Sequence, residues 1–147
     1  MTVKMMFGLF VLCGLFVVSV ACSKSGDGSA QSAPAVNEMG VGPIQSKVTM
    51  EPINSALVAQ GKRVFEEKCS ACHKFGERYV GPDLKGVTLR RKPEWIMNMI
   101  LNPQEMTQQD ATAKELLATY MTQMTFQNVS QDDARAILEY FRQNDSQ

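Results

Sequence analysis

Histidine occurs once in the 147 residues, as His73, and tryptophan once, as Trp95. A single histidine excludes an iron or other metal held by two imidazoles of one chain. Cysteine is scarce too. Of the four, Cys13 lies in an apolar N-terminal run and Cys22 directly follows it, so only Cys69 and Cys72 remain for the folded part. A structural zinc site takes four ligands, so two cysteines and one histidine would need carboxylates or a second chain to complete it. Net charge is zero, and no polybasic run is present, which argues against nucleic acid as a partner. Alternating strand patterns and internal repeats are also missing. The absence of a βαβ pattern removes the setting of a thioredoxin-like dithiol, leaving a plain disulfide as the other chemistry open to Cys69 and Cys72.

The charge that is present is unevenly placed. Residues 62–92 hold an excess of bases, about +5, and residues 93–147 an excess of acids, about −5. The folded part is therefore dipolar.

The chain divides into three stretches. Residues 1–21 read as an export signal: a charged start at Lys4, an apolar run from Met5 to Val18, then the small residues Ser19, Val20 and Ala21. Cys22 follows at once, as in a bacterial lipoprotein signal, where it would become the lipid-bearing N-terminus. Ser19 stands where such signals usually carry leucine. Cleavage by ordinary signal peptidase, or retention as an uncleaved anchor, are the other two outcomes. All three place the protein outside the cytoplasmic membrane, and lipidation on its periplasmic side is the expectation. Residues 22–51 are rich in Ser, Gly, Ala and Pro without apolar period, so a flexible tether is expected. Its span would be about 30 Å for roughly 28 residues. Residues 52–147 form the folded domain.

Four helices are expected there. The first runs from Ser55 to Ala71 behind an Asn54 cap, with Leu57, Gly61, Val64, Phe65, Lys68 and Cys72 on one face. The second starts at Pro93 and stops at Asn102-Pro103, with Trp95, Ile96, Met99 and Ile100 as its stripe. The third covers residues 111–121 behind Asp110. The fourth starts at Ser130, where Ser130 and Asp133 resemble a capping box, and aligns Ala134, Ile137, Leu138 and Phe141.

Residues 69–73 read Cys-Ser-Ala-Cys-His. Cysteines at i and i+3 near a helix end share a side and can each form a thioether to one haem vinyl group. The histidine beside them can face the iron. This spacing reads as c-type haem attachment.

Together with Gly61, Phe65, Tyr140 and the Gly81-Pro82-Asp83-Leu84 loop, the motif resembles the class I cytochromes c. The resemblance spans about residues 54–144 and implies an all-α fold around one covalently attached haem c. It implies that Gly61 and Phe65 cross the last helix near Tyr140, and that the Pro82 carbonyl accepts the ring N–H of His73. It also implies a methionine as the distal ligand, on a loop just before the last helix. Met124, in Met124-Thr125-Phe126 ahead of Ser130, fits that place; Met121 is the rival. Thr125 stands where the family usually has proline. Trp95 reads as a core aromatic, with a haem propionate as the other partner for its indole. Arg90, Arg91 and Lys92 either pair with propionates, dock an acidic partner, or form a solvated loop.

The function expected is that of an electron carrier between membrane or periplasmic redox proteins, held at the membrane by a lipid or N-terminal anchor. It acts on no small-molecule substrate and is not an enzyme. Two alternatives stand beside it: a fixed haem subunit of a larger oxidase or reductase, and a haem enzyme or gas sensor with an open distal site.

Overall fold

The structure is a computed structural model and describes residues 37–147. The expected export signal, Cys22 and the first part of the tether lie outside the described residues. Among the described residues six helices follow one another: α1 (Ser55–Lys68), α2 (Val87–Arg90), α3 (Pro93–Leu101), α4 (Pro103–Gln109), α5 (Ala111–Tyr120) and α6 (Gln131–Asp145). Among the described residues there is no strand, and no helix is long and apolar enough to cross a membrane.

Side-chain caps fix several helix starts. The Asn54 side chain accepts from the Ala56 and Leu57 amides, Asp110 from Ala113, and Ser130 from Asp133. Each satisfies N–H groups that have no partner inside the helix. Proline at the first position opens both α3 and α4, where its fixed φ suits the helix and its missing N–H costs nothing.

Helices α1 and α6 cross at Gly61. A Cβ there would stand 2.0 Å from the Ala136 carbonyl oxygen, so only glycine lets the two backbones approach this closely. Around the crossing, Phe65, Phe75, Tyr140 and Phe141 interlock, with ring centroids 5.3–6.4 Å apart. Edge-on and tilted contacts of this kind add to the burial they accompany. Trp95, Ile96, Ile100, Met106, Ile137 and Leu138 extend the core across α3, α4 and α6.

Residues 37–51 depart from the expectation of a loose tether. Val41, Ile44, Val48 and Met50 pack against the core. Buried Asn98 on α3 donates to the Met39 and Ile44 carbonyls and accepts from the Ile44 amide, each at 2.9 Å. Glu94 accepts from the Val48 amide at 2.5 Å, and the Met106 sulfur from the Val41 amide at 2.9 Å. Arg142 on α6 donates to the Glu51 carbonyl at 2.9 Å. Side chains from the domain thus satisfy the strap's backbone, a pattern that composition does not reveal.

Candidate haem-binding site

The chain leaves α1 in a tightened turn. The Cys69 and Ser70 amides both donate to the Phe65 carbonyl, and those of Cys72 and His73 both donate to the Cys69 carbonyl. This turn presents Cys69, Cys72 and His73 together. The following loop folds back, with the Gly81 amide on the Cys72 carbonyl at 2.8 Å and the Leu84 amide on the Lys74 carbonyl at 3.0 Å. Asp83 secures it by accepting from the Gly76 and Lys85 amides, and Arg90 by donating to the Asp83 and Lys85 carbonyls.

His73 Nδ1 lies 3.2 Å from the Pro82 carbonyl oxygen. A carbonyl only accepts, so the ring proton sits on Nδ1 and the Nε2 lone pair is left free. Burial holds the imidazole below its ordinary pKa, while the Pro82 bond opposes that shift. Burial thus favours the neutral ring, the state that ligates a metal. Burial also pushes the Cys69 thiol up to about 11, against the nearby Lys68 ammonium.

These three residues line a cavity of about 350 Å³. Its wall is mainly apolar, with Val87, Ile96, Ile100, Leu116, Ile137 and Phe141 among the lining residues. Polar groups enter from Arg90, Arg91, Thr107 and Gln123. The loop between α5 and α6 brings half-buried Met124 to the same cavity. Met121 caps α5 with left-handed backbone, is 86% exposed, and does not line the cavity. Met99 lines it from α3, whereas Met106 is buried with its sulfur taken by the strap. The donor set of two cysteine sulfurs, one free imidazole nitrogen and a thioether, in an apolar cleft, fits a covalently held haem. Among the described residues there is no cluster of three His, Cys, Asp or Glu side chains able to hold a metal ion directly.

Trp95 donates its indole N–H to Asp110 at 3.1 Å and is buried, so its polar atom is already engaged within the protein. The Arg91 guanidinium lies 5.3 Å from the centre of its ring. Lys68, placed on the edge of α1 by its spacing, donates to the Gln127 carbonyl at 3.1 Å. Sequence reasoning did not find Thr107 or Gln123. They lie 16 residues apart, and neither carries a motif.

Comparison with known proteins places the chain in a family. The family model described as cytochrome c matches residues 58–145. A cytochrome c from Rhodothermus marinus superposes with a TM-score of 0.71 at 43% identity, covering 74% of this chain and 94% of that one. An engineered form of that cytochrome, Rma TDE, is 42% identical with a TM-score of 0.71, covering 75% and 96%. The same engineered protein bound to a carbene intermediate is 41% identical with a TM-score of 0.68, at the same coverage. A search of curated proteins gives no match. The matched family carries covalently attached haem c and serves haem-based electron transfer; the chain belongs to the cytochrome c family.

Proposed function

We infer that this protein is an exported, lipid-anchored carrier of single electrons, with Cys69 and Cys72 forming the thioethers and His73 Nε2 and Met124 Sδ the axial ligands. When bound, haem iron supplies a one-electron couple. The chain's own residues set the conditions for it. The Pro82 carbonyl fixes the tautomer and orientation of His73 and raises its basicity. The apolar wall excludes water, and a thioether as second ligand raises the potential. His73 and Met124 would together hold the iron from two sides and leave no vacant place on it for a substrate. This favours a carrier over a haem enzyme or gas sensor.

The observation that carries the reading is the pairing of two features around one cavity. His73 has a free Nε2, and Met124 is the methionine brought to the cavity by the loop before α6. The partner surface follows from what surrounds the opening. Val80 lines the cavity and is partly exposed, and Phe126, 53% exposed, stands between the lining residues Thr125 and Gln127. Lys68, Arg90 and Arg91 add positive charge to the lining, against the one acid Asp83. Such a face suits redox proteins with acidic docking surfaces, and transfer rates should fall as salt screens the attraction. Lipidation at Cys22 would hold the domain beside the membrane complexes it serves.

The test is the ferric optical spectrum of the haem-loaded protein beside Met124→Ala and Met121→Ala. The reporter is the weak far-red band of a methionine–iron bond. Loss of the band in Met124→Ala alone supports the assignment. Loss in Met121→Ala alone moves the ligand to Met121, and no band in the parent overturns methionine ligation. Intact mass of the purified protein tests lipidation of Cys22.

A further inference from the structure

The loop from Met121 to Ser130 that carries Met124 has no regular structure and passes through left-handed backbone at Met121 and Asn128, φ 54° and 52°. Its half-buried thioether therefore depends on side-chain ties for its position. Gln123 makes the tie nearest to it. The Gln123 carboxamide nitrogen donates to the Met124 carbonyl at 3.0 Å and lies 3.5 Å from the Pro103 carbonyl. Two carbonyl oxygens on that side require the NH₂ group there, so the amide oxygen must face the other way. There it meets Thr107 Oγ1 at 3.0 Å. Thr107 is buried on α4, and its hydroxyl also lies within hydrogen-bond distance of the Pro103 and Gln104 carbonyls, at 3.0 and 2.9 Å. A hydroxyl has one proton to give. Gln123 is exposed, and the geometry lets the hydroxyl give its proton to the amide oxygen, because the two helix carbonyls have other routes to satisfaction.

We propose that Gln123 and Thr107 are positioning residues for Met124, a relay from α4 through the Gln123 amide to the Met124 carbonyl that holds the distal loop closed over the haem cavity. The proposal rests on Met124 being the distal ligand. Thr107 and Gln123 both line the cavity, so the relay sits where the loop would part from α4 on opening. Its strength sets how readily an outside ligand competes with the thioether. A second tie, from Lys68 to the Gln127 carbonyl at 3.1 Å, holds the far end of the loop to α1. Loss of the relay should therefore loosen the Met124 end without releasing the whole loop.

The experiment measures imidazole binding to the ferric, haem-loaded full chain, together with the far-red band, in Gln123→Ala, Thr107→Val, Thr107→Ser and Met124→Ala. A hydrogen bond of ordinary net strength translates into a gain in imidazole affinity of about threefold to tenfold in Gln123→Ala and Thr107→Val. The far-red band should weaken in both. Thr107→Ser keeps the hydroxyl and should behave as the parent. Parent-like imidazole binding in Gln123→Ala and Thr107→Val, a response in only one of them, or a Thr107→Ser variant matching Thr107→Val would each overturn the relay. If Met124→Ala keeps the parent's band, the ligand assignment fails and the relay with it. If Met124→Ala loses the band while Gln123→Ala and Thr107→Val bind imidazole as the parent does, the relay alone fails. Thermal melts run in parallel show whether each variant is folded.

Discussion

Gly81 packs against the imidazole of His73: a Cβ on it would stand 2.5 Å from Cε1 and 2.8 Å from Nδ1. The loop can carry the Pro82 carbonyl to Nδ1 only because the preceding residue has no side chain. Gly81→Ala should push ring and loop apart and lengthen the His73–Pro82 bond. If His73 ligates the haem iron as proposed, a less basic imidazole would stabilise the oxidised iron less, and the reduction potential should rise. Overpacking should also lower stability by about 1–3 kcal/mol in urea unfolding. A variant with the parent's potential and the parent's stability would show that the contact has no hold on the ligand.

Gly61 faces an obstacle that cannot rotate away. The group its Cβ would meet is the backbone of α6, the Ala136 oxygen at 2.0 Å and carbon at 2.4 Å. Gly61→Ala should therefore separate α1 from α6 at a cost of about 3 kcal/mol, the upper part of the range for overpacked cores. Adding Ala136→Gly should not restore stability, because the clash does not involve the Ala136 side chain. Rescue by that second change would place the conflict elsewhere.

Much of this arrangement was legible because local rules and tertiary contacts agree. Asn54, Asp110 and Ser130 cap the helices they announce, and Gly61 with Phe65 marks the crossing with α6. The Cys-x-x-Cys-His spacing and the Gly81-Pro82 loop lead to the bond seen between His73 and Pro82. What escaped has physical reasons. Helix α2 is a single turn behind left-handed Gly86, too short for any period to register. Asn102-Pro103 does end α3, but the same proline also opens α4. The strap at residues 37–51 is held mainly through its own backbone by Asn98, Glu94 and Met106, which are 46 to 65 residues away. Pairings of that range leave no trace in composition.

Asn98 gives the strap its firmest hold. Its side chain makes three hydrogen bonds to residues 39 and 44 from a fully buried position. Asn98→Ala removes them and strands the Ile44 amide and two carbonyls. The expected loss is about 2–3 kcal/mol, in line with leaving buried polar groups unpaired. Limited proteolysis should then cut within residues 37–51 faster than in the parent, while α1 and α6 stay protected. Unchanged cleavage there would mean that the apolar contacts of Val41, Ile44 and Val48 hold the strap without Asn98.

The start of α6 should respond to acid through Asp133. Its carboxylate accepts from the Gln60 side chain at 3.0 Å and from the Ser130 hydroxyl at 2.8 Å, and these bonds, Gln60 first, hold its pKa below the ordinary carboxylate value. A pKa lower in the folded chain than in the unfolded one stabilises the fold above the unfolded value, about 3.9 for Asp. That contribution is lost as pH falls through the folded value. Asp133→Asn lacks the ionisable group, so it should be less stable than the parent near neutral pH and converge on it in strong acid. Urea midpoints of both proteins across that range measure the difference. A gap that stays constant with pH would assign the role of Asp133 to hydrogen bonding that does not depend on its charge. Ser130→Ala, which removes the cap oxygen itself, should cost about 1 kcal/mol and should also remove part of the force that lowers the Asp133 pKa, so its acid limb should be shallower than the parent's.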